Sequence, residues 1–478
     1  MSLSPVQQTA YNDIQSRLSE SWYSDVGRGD MTAVRETLQG LGAADADAVI
    51  DAMQGSGLLS RMADEANDSR FLGMGQGGFS TEERQALFGD LASKLDGQSL
   101  AAVSNAFAGV EEREADFNVV TEMGQAVADR ASPQAKLDYI DALKADVGGS
   151  GISTTLYGGG FSAATLTRHV DSEAGAIGTV LSSLSGPYAA AAFTRLDDAQ
   201  LAAVLKTGVD QNESNAGTGG GSTFNSARFE GVVRAASTVA GPDAIAIRAR
   251  VFEAAGERLA AVDDAGKGLG FYADSDASLK GMTGAMTQLL NTDTNGIMRQ
   301  LTFDGATAGG SGMTHYAEAM IRTGQNEALA DIVVDLQFGN AHNENAVERL
   351  DQEFRTPGGE VIRENAGALG YFLGAVYAGA ADHTSDVRAQ QEEITGLLNF
   401  VAGKIPVAGG FSVGDAALGQ DSIKKAVEMA INAPGSAPAQ RLELAAMPRD
   451  ANGRQIAGDD ITTVFRTQLE AVRRAQEE

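Results

Sequence analysis

The sequence predicts an all-α protein, an array of repeated multi-helix units, solenoid-like or stacked bundles, followed by a C-terminal helical region. Three observations carry that expectation. Apolar residues recur at three- and four-residue spacing, helix-start signals precede several of these runs, and glycines gather between the runs rather than within them. Alternating stretches rich in Val, Ile and Thr, which a half-buried strand needs, are scarce.

The elements follow in chain order. The opening stretch, Met1 to Glu20, has neither the basic start nor the apolar core of a cleaved signal peptide, so export is expected to rely on a dedicated machine. Arg28-Gly29-Asp30 spells an adhesion tripeptide, but Asp30 reads as the cap of a helix starting at Met31. Val34, Leu38 and Leu41 then mark one helical face, and Leu87, Leu91 and Leu95 mark another. Ser80-Thr81-Glu82-Glu83 is a capping box, with a Glu three residues after the Ser, and Ser132-Pro133 places Pro at a first helical position. Glycine clusters at 73–78, 148–151, 158–160, 217–221 and 305–312 punctuate the helices as loops.

Compared with itself, the chain shows echoes. Lys94-Leu95-Asp96 with Leu100-Ala101-Ala102-Val103 returns as Arg195-Leu196-Asp197 with Leu201-Ala202-Ala203-Val204, and partly at Leu259-Ala260-Ala261-Val262. Residues 171–196 also lie over 276–301 without gaps, so that Ile177 meets Met282, Leu181 meets Met286, Leu184 meets Leu289 and Leu196 meets Leu301. Such self-similarity predicts a several-helix unit repeated about three times over residues 30–340, with breaks near 149 and 264, each unit burying its apolar face on the next. Residues 1–29 form an N-terminal helical segment ahead of the array.

From 341 to 432 the texture changes. Residues 365–381 carry no charge, and a second weakly charged stretch, 394–414, is interrupted by Lys404. Both are too short, or too broken by Gly, Ala, Lys404 and Pro406, for a spanning helix, which needs ~20 apolar residues. They read as core helices; a helical hairpin over 365–414 that inserts into membranes is the minor reading. Residues 433–478 are a Pro- and Gly-containing linker and an amphipathic helix from about Asp459.

A net charge of −28 repels phosphate backbones and anionic headgroups, so nucleic acid is not an expected partner and membrane attachment is disfavoured. The absence of cysteine removes disulfide scaffolds and thiolate zinc sites.

No catalytic, cofactor or metal residues are assigned. His169, His315, His342 and His383 stand apart at no ligand spacing. Ser311 in Gly309-Gly310-Ser311-Gly312-Met313 lacks the Gly that a nucleophile elbow needs at 313. Gly266-Lys267-Gly268 and Gly403-Lys404 lack the upstream glycines of a phosphate loop and read as helix C-termini. Asn291-Thr292-Asp293-Thr294-Asn295-Gly296 mimics half a calcium loop, then fails at Arg299 and Thr302, so Asp293 or Asn295 is expected to cap a helix instead. The carboxylate pairs Asp263-Asp264, Asp274/Asp276 and Asp459-Asp460 read as caps and loops.

Three segments, Leu289-Leu290-Asn291-Thr292-Asp293-Thr294-Asn295-Gly296-Ile297, then Leu336-Gln337-Phe338-Gly339-Asn340, then Asn365 to Val376, resemble a helical region of secreted bacterial toxins and effectors of the polymorphic-toxin kind. The resemblance covers roughly residues 248–402. It implies a non-catalytic module for carriage or delivery, with protein partners such as secretion or injection machinery, held in the bacterial cytoplasm before export. It carries no functional residue across. The expected function is therefore non-enzymatic protein contact within a secreted effector; a membrane-active toxin and an enzyme whose site is spread over several units are the alternatives, the last requiring a cleft that joins His315, His342 or His383 to acidic residues.

Overall fold

The structure is a computed structural model that describes residues 3–19, 26–67, 78–114, 119–147, 152–156, 166–170, 172–207, 211–212, 223–224, 226–269, 275–303, 311–338, 362–383, 395–397 and 459–475. It is all-α, with two short strand pairs, and it divides into two units, Met1–Ala240 and Gly241–Glu478.

In the first unit the helices are α1 (Pro5–Arg17), α2 (Arg28–Gly40), α3 (Ala43–Ser56), α4 (Leu58–Asn67), α5 (Thr81–Ala92), α6 (Gly97–Glu114), α7 (Val119–Arg130), α8 (Pro133–Leu143), α9 (Ser172–Ser182), α10 (Gly186–Arg195), α11 (Asp198–Thr207) and α12 (Ala227–Ser237). The start signals work as read. Ser80 accepts from Glu83 N at 3.3 Å and donates its own N–H to Glu83 Oε2 at 2.9 Å, and Ser132 Oγ accepts from Ala135 N at 3.2 Å. A further box, unread in the sequence, joins Ser4 and Gln7 at the head of α1. Helix α2 starts at Arg28 rather than Met31; Asp30, inside the first turn, reaches back to accept from Gly27 N at 3.1 Å.

Nine of these helices stack in two layers. One runs α2, α5, α7, α9, α12, and the other α3, α6, α8, α10, each helix packing on the next of its own layer. Successive helices of the first layer are parallel, because their contacts climb together. Arg28 pairs with Glu83 and Arg35 with Asp90; Arg84 pairs with Glu122, and Gly89 lies under Arg130; Gly175 lies under Arg228, and Gly231 abuts Ser182. Helices within a layer approach closely where glycine sits: a Cβ on Gly124 of α7 would lie 2.8 Å from Ala176 Cα of α9. Aromatic side chains fill the space between the layers, including Phe88 of α5 edge-on to Phe107 of α6 at 4.9 Å, and the buried Tyr139, Phe193 and Phe229. The Tyr139 hydroxyl is satisfied by Ser104 Oγ at 2.8 Å.

The first sequence echo lands on two turns built alike. Lys94 Nζ donates to Leu38 O and Leu41 O at the end of α2, and Arg195 Nη1 donates to Leu137 O of α8. One residue past the intervening Leu, Asp96 accepts from Ser99 N and Asp197 from Gln200 N, each at 2.8 Å. Cation, buried Leu and capping Asp thus form one turn used twice. Of the expected unit breaks, position 149 lies outside the described residues, whereas position 264 falls inside a continuous helix, α13 (Ala244–Leu269), and the division comes after Ala240. Ile247, Val251, Phe252, Ala255 and Leu259 keep one buried face along that helix, across Gly256.

Two strand pairs, unread in the sequence, lie beside glycine clusters assigned to loops. β1 (Ile152–Leu156) is antiparallel to β2 (Leu166–Val170), with Ile152 opposite Val170, and β3 (Gln211–Asn212) pairs with β4 (Thr223–Phe224). Ile-Ser-Thr-Thr-Leu and Leu-Thr-Arg-His-Val have the β-branched content that pairing favours, in runs too short to register as a strand pattern.

The second unit contains α13, α14 (Ser275–Leu290), α15 (Thr294–Phe303), α16 (Gly312–Arg322), α17 (Asn326–Phe338), α18 (Arg363–His383) and α19 (Asp459–Ala475). Here α18 is the core, packed by α15, α16, α17 and α19. Its glycines face different neighbours: Gly367 meets Phe303 of α15, Gly374 meets Leu469 of α19 and Gly379 meets Thr314 and Glu318 of α16. The uncharged run 365–381 is therefore a buried core helix, and among the described residues no helix is long and apolar enough to cross a membrane. The stretch 394–414 and the linker 433–458 lie outside the described residues except for 395–397. The amphipathic helix read from Asp459 is α19, with Leu469 buried against α18.

Candidate functional site

Of the four histidines, His169 lies in β2, His383 ends α18, His342 is outside the described residues, and His315 sits one turn into α16. Arg28 and Asp30 of the tripeptide are engaged with Glu83 and Gly27 N in the first turn of α2. The calcium-like stretch is a helix start: Asp293 Oδ1 accepts from Gly296 N at 2.9 Å, Arg299 bonds Asn295 O, and Thr302 is buried on Met298 O. Asp293→Ala should therefore cost about 1 kcal/mol, the ordinary value of an N-cap, and lower Tm in a thermal melt without any calcium dependence. Gly266–Gly268 lies at the end of α13, as a helix C-terminus, and Gly403-Lys404 is outside the described residues. Asp263-Asp264 is within α13, Asp276 opens α14 and pairs with Arg322, Asp459-Asp460 opens α19, and Asp274 is outside the described residues.

His315 does gather acidic residues, at the crossing of α13 and α16. The two backbones touch there, since a Cβ on Gly256 of α13 would overlap the Gly312 carbonyl. Two carboxylates flank the contact on α13, one turn apart. Glu253 Oε1 accepts from Gly312 N at 2.9 Å; Glu257 Oε1 accepts from Ser311 N at 3.1 Å and from Ser311 Oγ at 2.6 Å. The first amides of α16, which have no partner within their own helix, are thus capped from another helix by groups of the sign that its positive end favours. On the next turn His315 Nδ1 lies 3.9 Å from Glu318 Oε2.

The electrostatics single out Glu253. Burial, chiefly, and the neighbouring Glu257 push its carboxyl up to about 7, against the pull of Gly312 N–H and His315. Its Oε2 is buried with no hydrogen-bond donor. The phenol of Tyr371 on α18 is raised by burial and then by Glu253 and Glu257.

A titratable carboxyl, a hydroxyl on a second carboxylate and an imidazole are the parts of a hydrolytic site, but the geometry assigns them otherwise. Ser311 gives its proton to the same carboxylate oxygen that caps its backbone, which makes it a helix cap rather than a nucleophile aimed at substrate. The cleft beside His315, lined by Leu259, Leu279, Glu318 and Arg322, has a volume of about 10 Å³. That is room for roughly one water and no organic substrate. Among the described residues no group of three His, Asp or Glu could hold a metal ion. What the cluster can do is bind a proton.

No family model matches the chain, and no curated protein matches it. Among solved structures, a crystal structure described as an engineered protein aligns over 92% of this chain and 93% of its own, at 13% identity and a TM-score of 0.26. At that score nothing about fold or activity passes from one chain to the other.

The sequence reading singled out His315 and Ser311 but missed Glu253 and Glu257. The available signal was a pair of carboxylates at i and i+4 astride Gly256 in an otherwise apolar-faced helix. Repulsive on an isolated helix, such a pair needs an external donor.

Proposed function

We propose that the chain works by protein contact, as a non-enzymatic helical module, and that the setting is the secreted effector that residues 248–402 resemble. One observation supports this most directly: the two edges of the first unit differ. Parallel packing in the layer α2, α5, α7, α9, α12 puts all their N-terminal ends along one edge. Three of the four connections arriving at that edge are long, 68–80, 144–171 and 208–226, and the fourth is 115–118, whereas the turns leaving the opposite ends are 41–42, 93–96, 131–132 and 183–185. In stacked helical arrays, long and variable connections confined to one edge are where partners are bound, because the stack fixes their anchors while leaving their sequences free. The three long connections are rich in Gly, Ser, Thr and Asn and carry few charges in a chain of net −28, so they offer hydrogen bonds to a protein surface with little repulsion.

Photo-crosslinkers placed at 158 and 218, and at 98 and 134 as controls on the opposite edge, test this in bacterial cells producing the full chain. The same partner bands are expected from both connection sites and not from the controls. Equal labelling from all four positions, or none, would remove the reading.

A further inference from the structure

We propose that Glu253 and Glu257 share one proton across the α13–α16 crossing, making the anchorage of α16 a proton-controlled latch. The geometry points to a proton. The two carboxyl groups, one turn apart on α13, are drawn to adjacent amides, at Ser311 and Gly312, and so converge on the same end of α16. Two carboxylates in contact repel; one carboxyl and one carboxylate form a strong hydrogen bond. Glu253 Oε2, buried and without a donor, is where that proton sits, donated toward Glu257, while Oε1 goes on accepting from Gly312 N.

The surroundings leave Glu253 the group in question. From α16 it faces His315, with Glu318 next to that ring, and from α18 it faces Tyr371, a neutral phenol. The charges on α14 and α15 are engaged elsewhere: Asp276 pairs with Arg322, Asp293 caps α15 and faces Arg248, and Arg299 bonds its own helix. Further charged groups on these helices are Lys280 of α14 and, on α13, Arg250 and Arg258, with Asp263, Asp264 and Lys267 toward its end. The sign follows from the carboxyl of Glu253 being raised to about 7 in the folded chain, from an ordinary 4.5. Protonation is favoured by the folded junction, so its contribution is full below about pH 4.5 and is lost as pH rises through about 7. Loss of the proton leaves two anions pressed together at a backbone contact that has no slack. The segment they release is α16, one of the four helices around α18.

Hydrogen exchange of the full chain at pH 5 and pH 8, corrected for the intrinsic rate, tests the latch. Protection of residues 311–322 is expected to fall about tenfold or more between the two, against little change in α9. Glu253→Gln supplies the missing donor permanently and should abolish the dependence; His315→Gln should keep it. A flat profile in the parent chain overturns the proposal, as does an unaltered profile in Glu253→Gln or loss of the transition in His315→Gln, which would move the proton to the imidazole. Should Glu253→Gln not fold, carbon-13 titration of the parent's Glu carboxyls decides. One midpoint near 7 upholds the latch, and all midpoints below about 5 end it.

Discussion

Glu122→Ala is expected to destabilise the first unit by about 3–5 kcal/mol, a large share of any domain's stability. Arg84 of α5 is buried, with 8% of its side chain exposed, and Glu122 of α7 is 16% exposed. The guanidinium holds both carboxylate oxygens, at 2.8 and 3.2 Å, and gives a third bond to Asn67 of α4. Two neighbouring helices of one layer, and α4 beside them, thus meet on one fork. Removing the carboxylate takes two charge-assisted bonds from a largely buried cation, and the cost is chiefly that of a desolvated charge less well compensated rather than of the lost bonds alone. Denaturant melts of the single variant and of the double variant Arg84→Met/Glu122→Leu check this. The double variant should recover most of the loss, because no charge is stranded. A single variant within about 0.5 kcal/mol of the parent would show that water reaches the guanidinium.

Gly256→Ala is expected to cost about 3 kcal/mol or more, from one methyl group. The added Cβ would overlap the Cα, C and O of Gly312, and the neighbour is backbone, which cannot rotate away. Moving α16 off α13 also pulls Ser311 and Gly312 away from their caps on Glu257 and Glu253, so packing and polar terms fail together. Gly284 is the matched control: it lies in α14 of the same unit, and its added Cβ meets nothing within 4 Å. Gly284→Ala should leave the melt unchanged or raise it slightly, through the better helix propensity of Ala. A Gly256→Ala melt that coincides with the Gly284→Ala melt would mean the crossing is looser than its geometry.

The readable parts of this protein are those set by neighbours in sequence. Ser80 with Glu83, Ser132 with Pro133 and Asp293 with Gly296 announce helix starts because a cap reaches only three residues along its own chain. Leu87, Leu91 and Leu95 are buried as their spacing says. The echo of Lys94-Leu95-Asp96 at Arg195-Leu196-Asp197 was legible as repetition, though not as a turn whose cation reaches into the preceding helix. Short runs hid β1 and β2, and α13 runs without interruption through 264, where a break is expected from the sequence.

The α13–α16 cluster was illegible for a different reason. Glu253 and Glu257 are an ordinary surface pair until Ser311, Gly312 and Tyr371 arrive from other helices, and Gly256 is an ordinary helix flaw until another backbone lies on it. The sequence by itself determined the helices, their starts, the acidic exterior and the burial of the uncharged run 365–381. Only the tertiary structure decided which charges lose their water and which backbones touch. Helix formation is a bargain among residues a turn apart, whereas desolvation depends on everything within a few ångströms, whatever its place in the chain.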